Sequence, residues 1–183
     1  MNMNTYCIFC RTGFENQVEA FLKKNGLAVI SSIVERNVMK HRKPHKEFRP
    51  LIPGYVFFES DSEPAWMELR QSEYIFYPLR YADNQARLRG KDLEFVRWLK
   101  RHDGAIGISK AMQAGNRVRI LDGPLKEYEG RITKINKRQK CAEIEIGAET
   151  IVRKVWLNYE IVGIEIIGDI QRSAPEGVCA QTS

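Results

Sequence analysis

The spacing of apolar positions changes several times along the chain, and each change predicts an element. Tyr6-Cys7-Ile8-Phe9-Cys10 is a short unbroken apolar run, which predicts a buried strand. After Gly13 the spacing becomes helical: Phe14, Val18, Phe21 and Leu22 form one stripe, and Asn25-Gly26 supplies the stop. Apolar stretches at Ala28–Val38 and Leu51–Glu59 flank a polar segment, so that segment predicts the arm of a long hairpin. Pro53-Gly54 predicts a bend or bulge in the returning stretch. Asp61 or Ser62 is placed to cap a second helix with Pro64 in its first turn and Trp66 and Leu69 on its inner face. Tyr74–Leu79 predicts another strand. Leu93, Val96 and Leu99, widened by Phe95 and Trp98, predict a third helix from about Gly90 to His102.

The resulting order, β-α-β-β-α-β-α, predicts an α+β sandwich with helices over one face of a mainly antiparallel sheet. Gly104 to Gly115 has few large apolar residues and predicts a linker. Beyond it, short apolar runs at Val118–Leu121, Gly130–Ile135, Cys141–Ile146, Ile151–Val155 and Tyr159–Ile166 alternate with turn residues, which predicts a small β-barrel. The expected organisation is a first domain over 1–107, a linker over 108–114, a second domain over 115–167 and a disordered tail over 168–183.

The charge is uneven. The chain of 183 residues carries 29 Lys and Arg against 23 Asp and Glu, a formal net charge of +6. Arg36, Lys40, Arg42, Lys43, Lys46 and Arg49 crowd the hairpin arm with only Glu47 against them. Arg131, Lys134, Lys137, Arg138 and Lys140 form a second run without an acid. Either run alone could be a solvated face; one in each domain favours contact with phosphate. No apolar run reaches the ~20 residues of a membrane span. The N-terminus lacks the pattern of a secretory signal, so a cytoplasmic chain with reduced thiols is expected.

Nothing points to catalysis. Cys7 and Cys10 have CxxC spacing, but on a strand residues three apart face opposite sides and cannot share a metal. His41 and His45 sit in a basic segment without acidic or thiol partners, and no nucleophile-base set or glycine-rich phosphate loop is present. No enzyme activity, metal or cofactor is expected.

Three motifs carry a resemblance. Gly115 to Ile132, with Asp122-Gly123-Pro124 and then Gly130, resembles a KOW motif. Thr12-Gly13-Phe14-Glu15 and Pro50-Leu51-Ile52-Pro53-Gly54-Tyr55-Val56-Phe57, followed by Trp66, resemble landmarks of the NusG N-terminal domain. Together they span about residues 5 to 165 and resemble the NusG family of transcription elongation factors. Thr5 stands where the family usually has Trp, and Ile52 where many members have Phe. With the short linker, these departures make the chain most similar to the LoaP group of specialised paralogues.

The resemblance implies an NGN α/β sandwich joined to an SH3-like KOW barrel. It implies a monomer that binds the β′ clamp helices of RNA polymerase through Tyr6, Ile8, Ile52, Pro53, Tyr55 and Phe57, although core packing explains several of these equally well. Arg70, Gln71 and Ser72 match the region that faces non-template DNA. Arg117, Arg119, Lys134, Lys137, Arg138, Lys140, Arg153 and Lys154 would contact a nascent RNA hairpin on one basic face. The implied role is processive antitermination. Two alternatives stay open: a housekeeping elongation factor that reaches ribosomal protein uS10 or Rho through Tyr128, and a ribosomal-type KOW protein that binds RNA as a structural component.

Overall fold

The computed structural model describes residues 3–147 and 149–165. The expected tail over 168–183 lies outside the described residues. The first sheet contains β1 (Asn4–Cys10), β2 (Ala28–Ile30), β5 (Tyr55–Ser60) and β6 (Ile75–Pro78) in the order β2-β5-β1-β6, with antiparallel pairing throughout. In β1 every residue from Thr5 to Ile8 is buried, because the sheet is covered on both faces. Tyr6, Ile8, Cys10, Val56 and Phe58 pack with Val18 and Leu22 of α1 (Glu15–Lys24) and Leu69 of α2 (Trp66–Leu69). Cys7, Tyr55 and Phe57 belong to the opposite core, with Phe95, Trp98 and Leu99 of α3 (Gly90–Arg101). Phe57 and Phe95 meet edge to face at 5.8 Å. The expected one-sided sandwich is thus corrected: helices lie on both faces, and the all-buried β1 is the local sign of it.

The hairpin differs from expectation in its pairing. Ala28–Val38 breaks at Ser31-Ser32, so that β2 joins the first sheet. β3 (Ile33–Lys40) and β4 (Lys43–Pro50) form a hairpin of their own. Its two-residue turn, His41-Arg42, has φ of 50° and 62°, the double positive φ that suits tightly twisted antiparallel strands. β7 (Ala105–Ile106) completes that sheet beside β3. α2 is a single turn with Ala65 at its N-cap, and Asp61 and Ser62 make no side-chain cap.

The C-terminal half forms a five-stranded sheet. It contains β8 (Ser109–Ala114), β9 (Arg117–Asp122), β10 (Ile132–Asn136), β11 (Cys141–Ile146) and β12 (Arg153–Glu165), in the order β10-β11-β12-β8-β9. Two expectations change here. Residues expected in a linker over 108–114 are strand β8, paired parallel to β12, with Ser109 and Ala111 fully buried. The two last expected strands are one continuous β12. α4 (Pro124–Glu127) is one turn following Gly123. A Cβ on Gly123 would lie 2.8 Å from Ser109 Cα, and Ser109 Oγ accepts a hydrogen bond of 2.9 Å from the Leu125 N–H. The Asp-Gly-Pro turn is therefore fitted onto β8, which makes residues 108–114 part of the C-terminal half.

Candidate docking face and basic surfaces

Two of the sequence landmarks are tied by one carboxylate. Glu15, at the start of α1, accepts hydrogen bonds from the N–H of Gly13 at 2.8 Å and of Gly54 at 2.7 Å. Gly54 in turn accepts 2.8 Å from the Cys10 N–H. Gly54 has φ of +83°, and a Cβ there would press on Cys10 O, the Phe9 ring and Thr12 Oγ1, each at 3.2 Å. Glycine satisfies both the positive φ and the close approach. The bend that it makes sets the backbone of Tyr55 at the start of β5.

The six expected docking residues are divided by the sheet. Tyr6 and Ile8 point into the α1 core and are 4% and 0% exposed, so they are packing residues in this structure. Ile52, Tyr55 and Phe57 belong to the opposite core, at 2%, 8% and 0% exposed, and Pro53 is exposed between them. The open apolar surface lies next to Tyr55 and uses residues the sequence reading passed over. Phe9 packs at 5.3 Å on Tyr55, 5.7 Å on Phe76 and 5.3 Å on Tyr77. Phe76 is 46% and Tyr77 53% exposed. The adjacent aromatics Phe76 and Tyr77 in the apolar run Tyr74–Leu79 were visible in the sequence, but their exposure follows from the edge position of β6, which the run does not reveal.

Tyr55 is covered by the other half of the chain. The Arg153 guanidinium lies 5.1 Å over its ring and donates a hydrogen bond to its hydroxyl. Burial pushes the Tyr55 hydroxyl above its ordinary pKa, and the positive charge of Arg153 opposes that shift.

The contact continues along α3. Trp98 meets Tyr128 edge to face at 4.9 Å. Glu127 accepts a hydrogen bond from Arg101 and shares one of 2.8 Å with His102 Nε2. Burial works against the charge on Glu127, but these hydrogen bonds outweigh it and hold the carboxyl below its usual range. Asp92, 1% exposed, accepts from the Thr150 N–H at 3.0 Å, the Thr150 hydroxyl at 2.8 Å and the Tyr81 hydroxyl at 3.0 Å. Tyr128, the expected partner-binding aromatic, is 7% exposed, and burial pushes its hydroxyl up to about 12.

Arg70, Gln71 and Ser72 follow α2. Arg70 and Gln71 are exposed and Ser72 half-buried. Successive backbone bonds from Arg70 N to Trp66 O and from Gln71 N to Glu68 O hold them in a tight turn. α2 packs on the α1 side of the sheet, so this turn lies on the face opposite α3.

All eight expected RNA-binding cations are exposed, and they fall into groups along the C-terminal sheet. Lys137 Nζ donates to the Asn116 carbonyl, which brings the β10–β11 turn, with Lys137, Arg138 and Lys140, beside Arg117 at the start of β9. Arg119 lies further along the same edge strand. Lys134 sits on β10 at the other edge and is 3.8 Å from Glu143. Arg153 and Lys154 begin β12, whose Asn158 is the residue paired beside the basic turn. At about 3.3 Å per residue that separates the two groups by roughly 16 Å.

Cys7 and Cys10 face opposite cores, as their spacing on a strand requires, and burial raises both thiols, Cys10 to about 12. His41 lies in the hairpin turn and His45 opposite Val38. No helix among the described residues is long and apolar enough to cross a membrane.

A family model described as "Transcription termination factor nusG" matches residues 3–97, more than half of the chain. A comparison with curated proteins found no match. Among solved structures, one described as "Domain interaction in Thermotoga maritima NusG" is similar at 19% identity, over 86% of this chain and 94% of that one, with a TM-score of 0.47. The matched region contains the first sheet, the Glu15–Gly54 tie, the open aromatic residues and the first two thirds of α3, and it places this chain in the NusG family of transcription elongation and termination factors, whose members bind RNA polymerase.

Proposed function

We propose that the chain is a non-enzymatic antitermination and elongation factor of the specialised, LoaP-like kind, acting in the bacterial cytoplasm without metal or cofactor. Its first sheet docks on the β′ clamp helices of RNA polymerase. Its C-terminal half, the KOW module with an SH3-like barrel fold, contacts an RNA hairpin in the nascent transcript. The Arg70–Ser72 turn reaches the non-template strand.

The observation that carries this reading is the aromatic surface of Phe9, Tyr55, Phe76 and Tyr77. Aromatic side chains at the edge of a rigid sheet can receive an apolar helical tip, and each fully buried one contributes about 1.5–3 kcal/mol. Phe76 and Tyr77 are open, and Tyr55 is covered by Arg153. The resting form therefore offers Phe76 and Tyr77 first, and full engagement of Tyr55 requires the C-terminal half to move aside. The housekeeping alternative relies on Tyr128, which is packed on Trp98 at rest, so that reading needs the same opening before any partner could reach the ring.

The test is co-elution of the full-length chain with bacterial core RNA polymerase. The double substitution Phe76→Ala, Tyr77→Ala removes exposed rings, so the fold should persist by circular dichroism. The expected result is co-elution of the unaltered chain, weakened at least ~10-fold by the substitution. Unchanged binding in the substituted chain would move the docking face elsewhere, and absence of binding by either would overturn the reading.

A further inference from the structure

The two basic runs, distant in sequence, meet. A groove of about 580 Å³ opens between the β3–β4 hairpin of the N-terminal half and the outer face of the C-terminal sheet. Arg36 and Asn37 line one wall; Arg138, Gln139, Trp156 and Asn158 line the other. The volume lies within the ~300–1,000 Å³ of ordinary ligand sites. In the sequence the basic hairpin and the basic turn fall in separate expected domains, and Trp156 belongs to no motif.

The residue types are those that a single-stranded polynucleotide needs. Trp156 is half-buried on β12, between inward-facing Val155 and Leu157, so its indole lies on the outer face of the sheet, in the groove. Stacking on such a ring is tolerant of base identity. Asn37, Gln139 and Asn158 offer paired donors and acceptors for exposed base edges. Arg138 is exposed and forms no ion pair among the described residues, so its charge is available to phosphate. Arg36 Nε is buried with no hydrogen-bond partner among the described residues, an unusual state for a guanidinium donor.

Two carboxylates near the groove, Glu143 and Glu35, are already engaged, and the charge of Glu160 on the outer face of β12 acts on Lys46 of the hairpin. Glu143, opposite Trp156 on β11, accepts from Thr133 Oγ1 at 2.7 Å and lies 3.8 Å from Lys134. Glu35 is paired with Lys46 at 2.6 Å.

We propose that this groove between the halves binds a single-stranded segment of polynucleotide, with a base stacked on Trp156 and phosphates held by Arg36 and Arg138. It rests on the reading of the chain as a transcription factor that contacts nucleic acid, and it adds a site to which the N-terminal hairpin contributes. Because both walls are needed, a strand bound here also favours the closed arrangement of the two halves.

The experiment uses the full-length chain and fluorescein-labelled strands of about eight nucleotides, a length one small single-strand site covers. The same mixed sequence is presented as RNA, as DNA and as a DNA duplex, and binding is read by anisotropy. The expected result is binding of single strands in preference to duplex, with a log–log salt slope near −1.4 for two phosphate contacts at about −0.7 each. Trp156→Ala should weaken binding roughly 5- to 150-fold, Trp156→Phe should retain most of it, and Asn37→Asp on the opposite wall should weaken it as well. Preference for RNA identifies the transcript as the source, and preference for DNA identifies a displaced strand; either supports the groove.

Thermal melts of each variant separate loss of binding from loss of fold. Binding that ignores both Trp156→Ala and Asn37→Asp, or that is absent for every strand, overturns the proposal. Polymerase co-elution is measured on the same variants and should be unchanged. Failure of the groove is therefore distinguishable from failure of the functional reading.

Discussion

Glu15 and Gly54 show how two short motifs that look independent in the sequence serve one purpose. The carboxylate of Glu15 bonds two backbone N–H groups from loops 39 residues apart in one case and two in the other. Gly54 must be bare for the loops to approach. Gly54→Ala forces a β-carbon into a positive-φ position against backbone, at a cost of about 1–3 kcal/mol. At roughly 2–4 °C per kcal/mol for a chain of this size, a fall of about 2–12 °C in melting temperature is expected. A melt unchanged by the substitution would mean that the bend relaxes without the glycine. At this scale the sequence was legible wherever geometry follows from chain spacing. The opposite orientation of Cys7 and Cys10 needed only the two-residue period of a strand. The partition of Tyr6 and Ile8 from Tyr55 and Phe57 was not legible, since a strand buried on both faces shows no alternation by which to tell the faces apart.

Among the elements, α3 has the widest buried face because it serves two partners. Phe95 meets Phe57 of the first sheet, and Trp98 meets Tyr128 of the C-terminal half. The helix itself was legible from its periodicity; its second partner was not, because a wide stripe does not say how many surfaces it touches. β8 escaped notice for a different reason. Ser109, Ala111 and Gln113 lack the branched and aromatic side chains that mark strands, and the strand is held by its pairing to β12 and β9. The α3 contact should respond to acid. Glu127 titrates below its ordinary value of 4.5 while its partners hold it. Its contribution to the closed arrangement is therefore complete above that ordinary value and is lost as pH falls through the depressed one. Trp98 fluorescence, read through its contact with Tyr128, should change in that acid window. Glu127→Gln should remove the acid step. A transition at the same pH in the substituted chain would assign it to another group.

At the scale of the whole molecule, the two halves share one surface. Tyr55 is at once the continuation of the open aromatic patch and the seat of Arg153. In the proposed docking mode a polymerase helix and the chain's own C-terminal half would compete for it, and the resting affinity for polymerase would be lowered by the energy that holds the halves together. Family membership was legible from three motifs because each encodes a backbone constraint: a glycine bend, a helix start, a turn fitted onto a strand. The closed arrangement was not legible, because it depends on single side chains from distant positions meeting, such as Arg153 with Tyr55 and Thr150 with Asp92.

The most direct measurement is the affinity of RNA polymerase for the full-length chain and for the double substitution Arg153→Ala, Glu127→Ala. Both changes remove contacts between the halves and leave Phe9, Tyr55, Phe76 and Tyr77 in place. If the removed contacts contribute about 1–2 kcal/mol to closure, the opened chain should bind roughly 5- to 30-fold more tightly. Equal or weaker binding by the opened chain would contradict the claim that the C-terminal half covers the docking face.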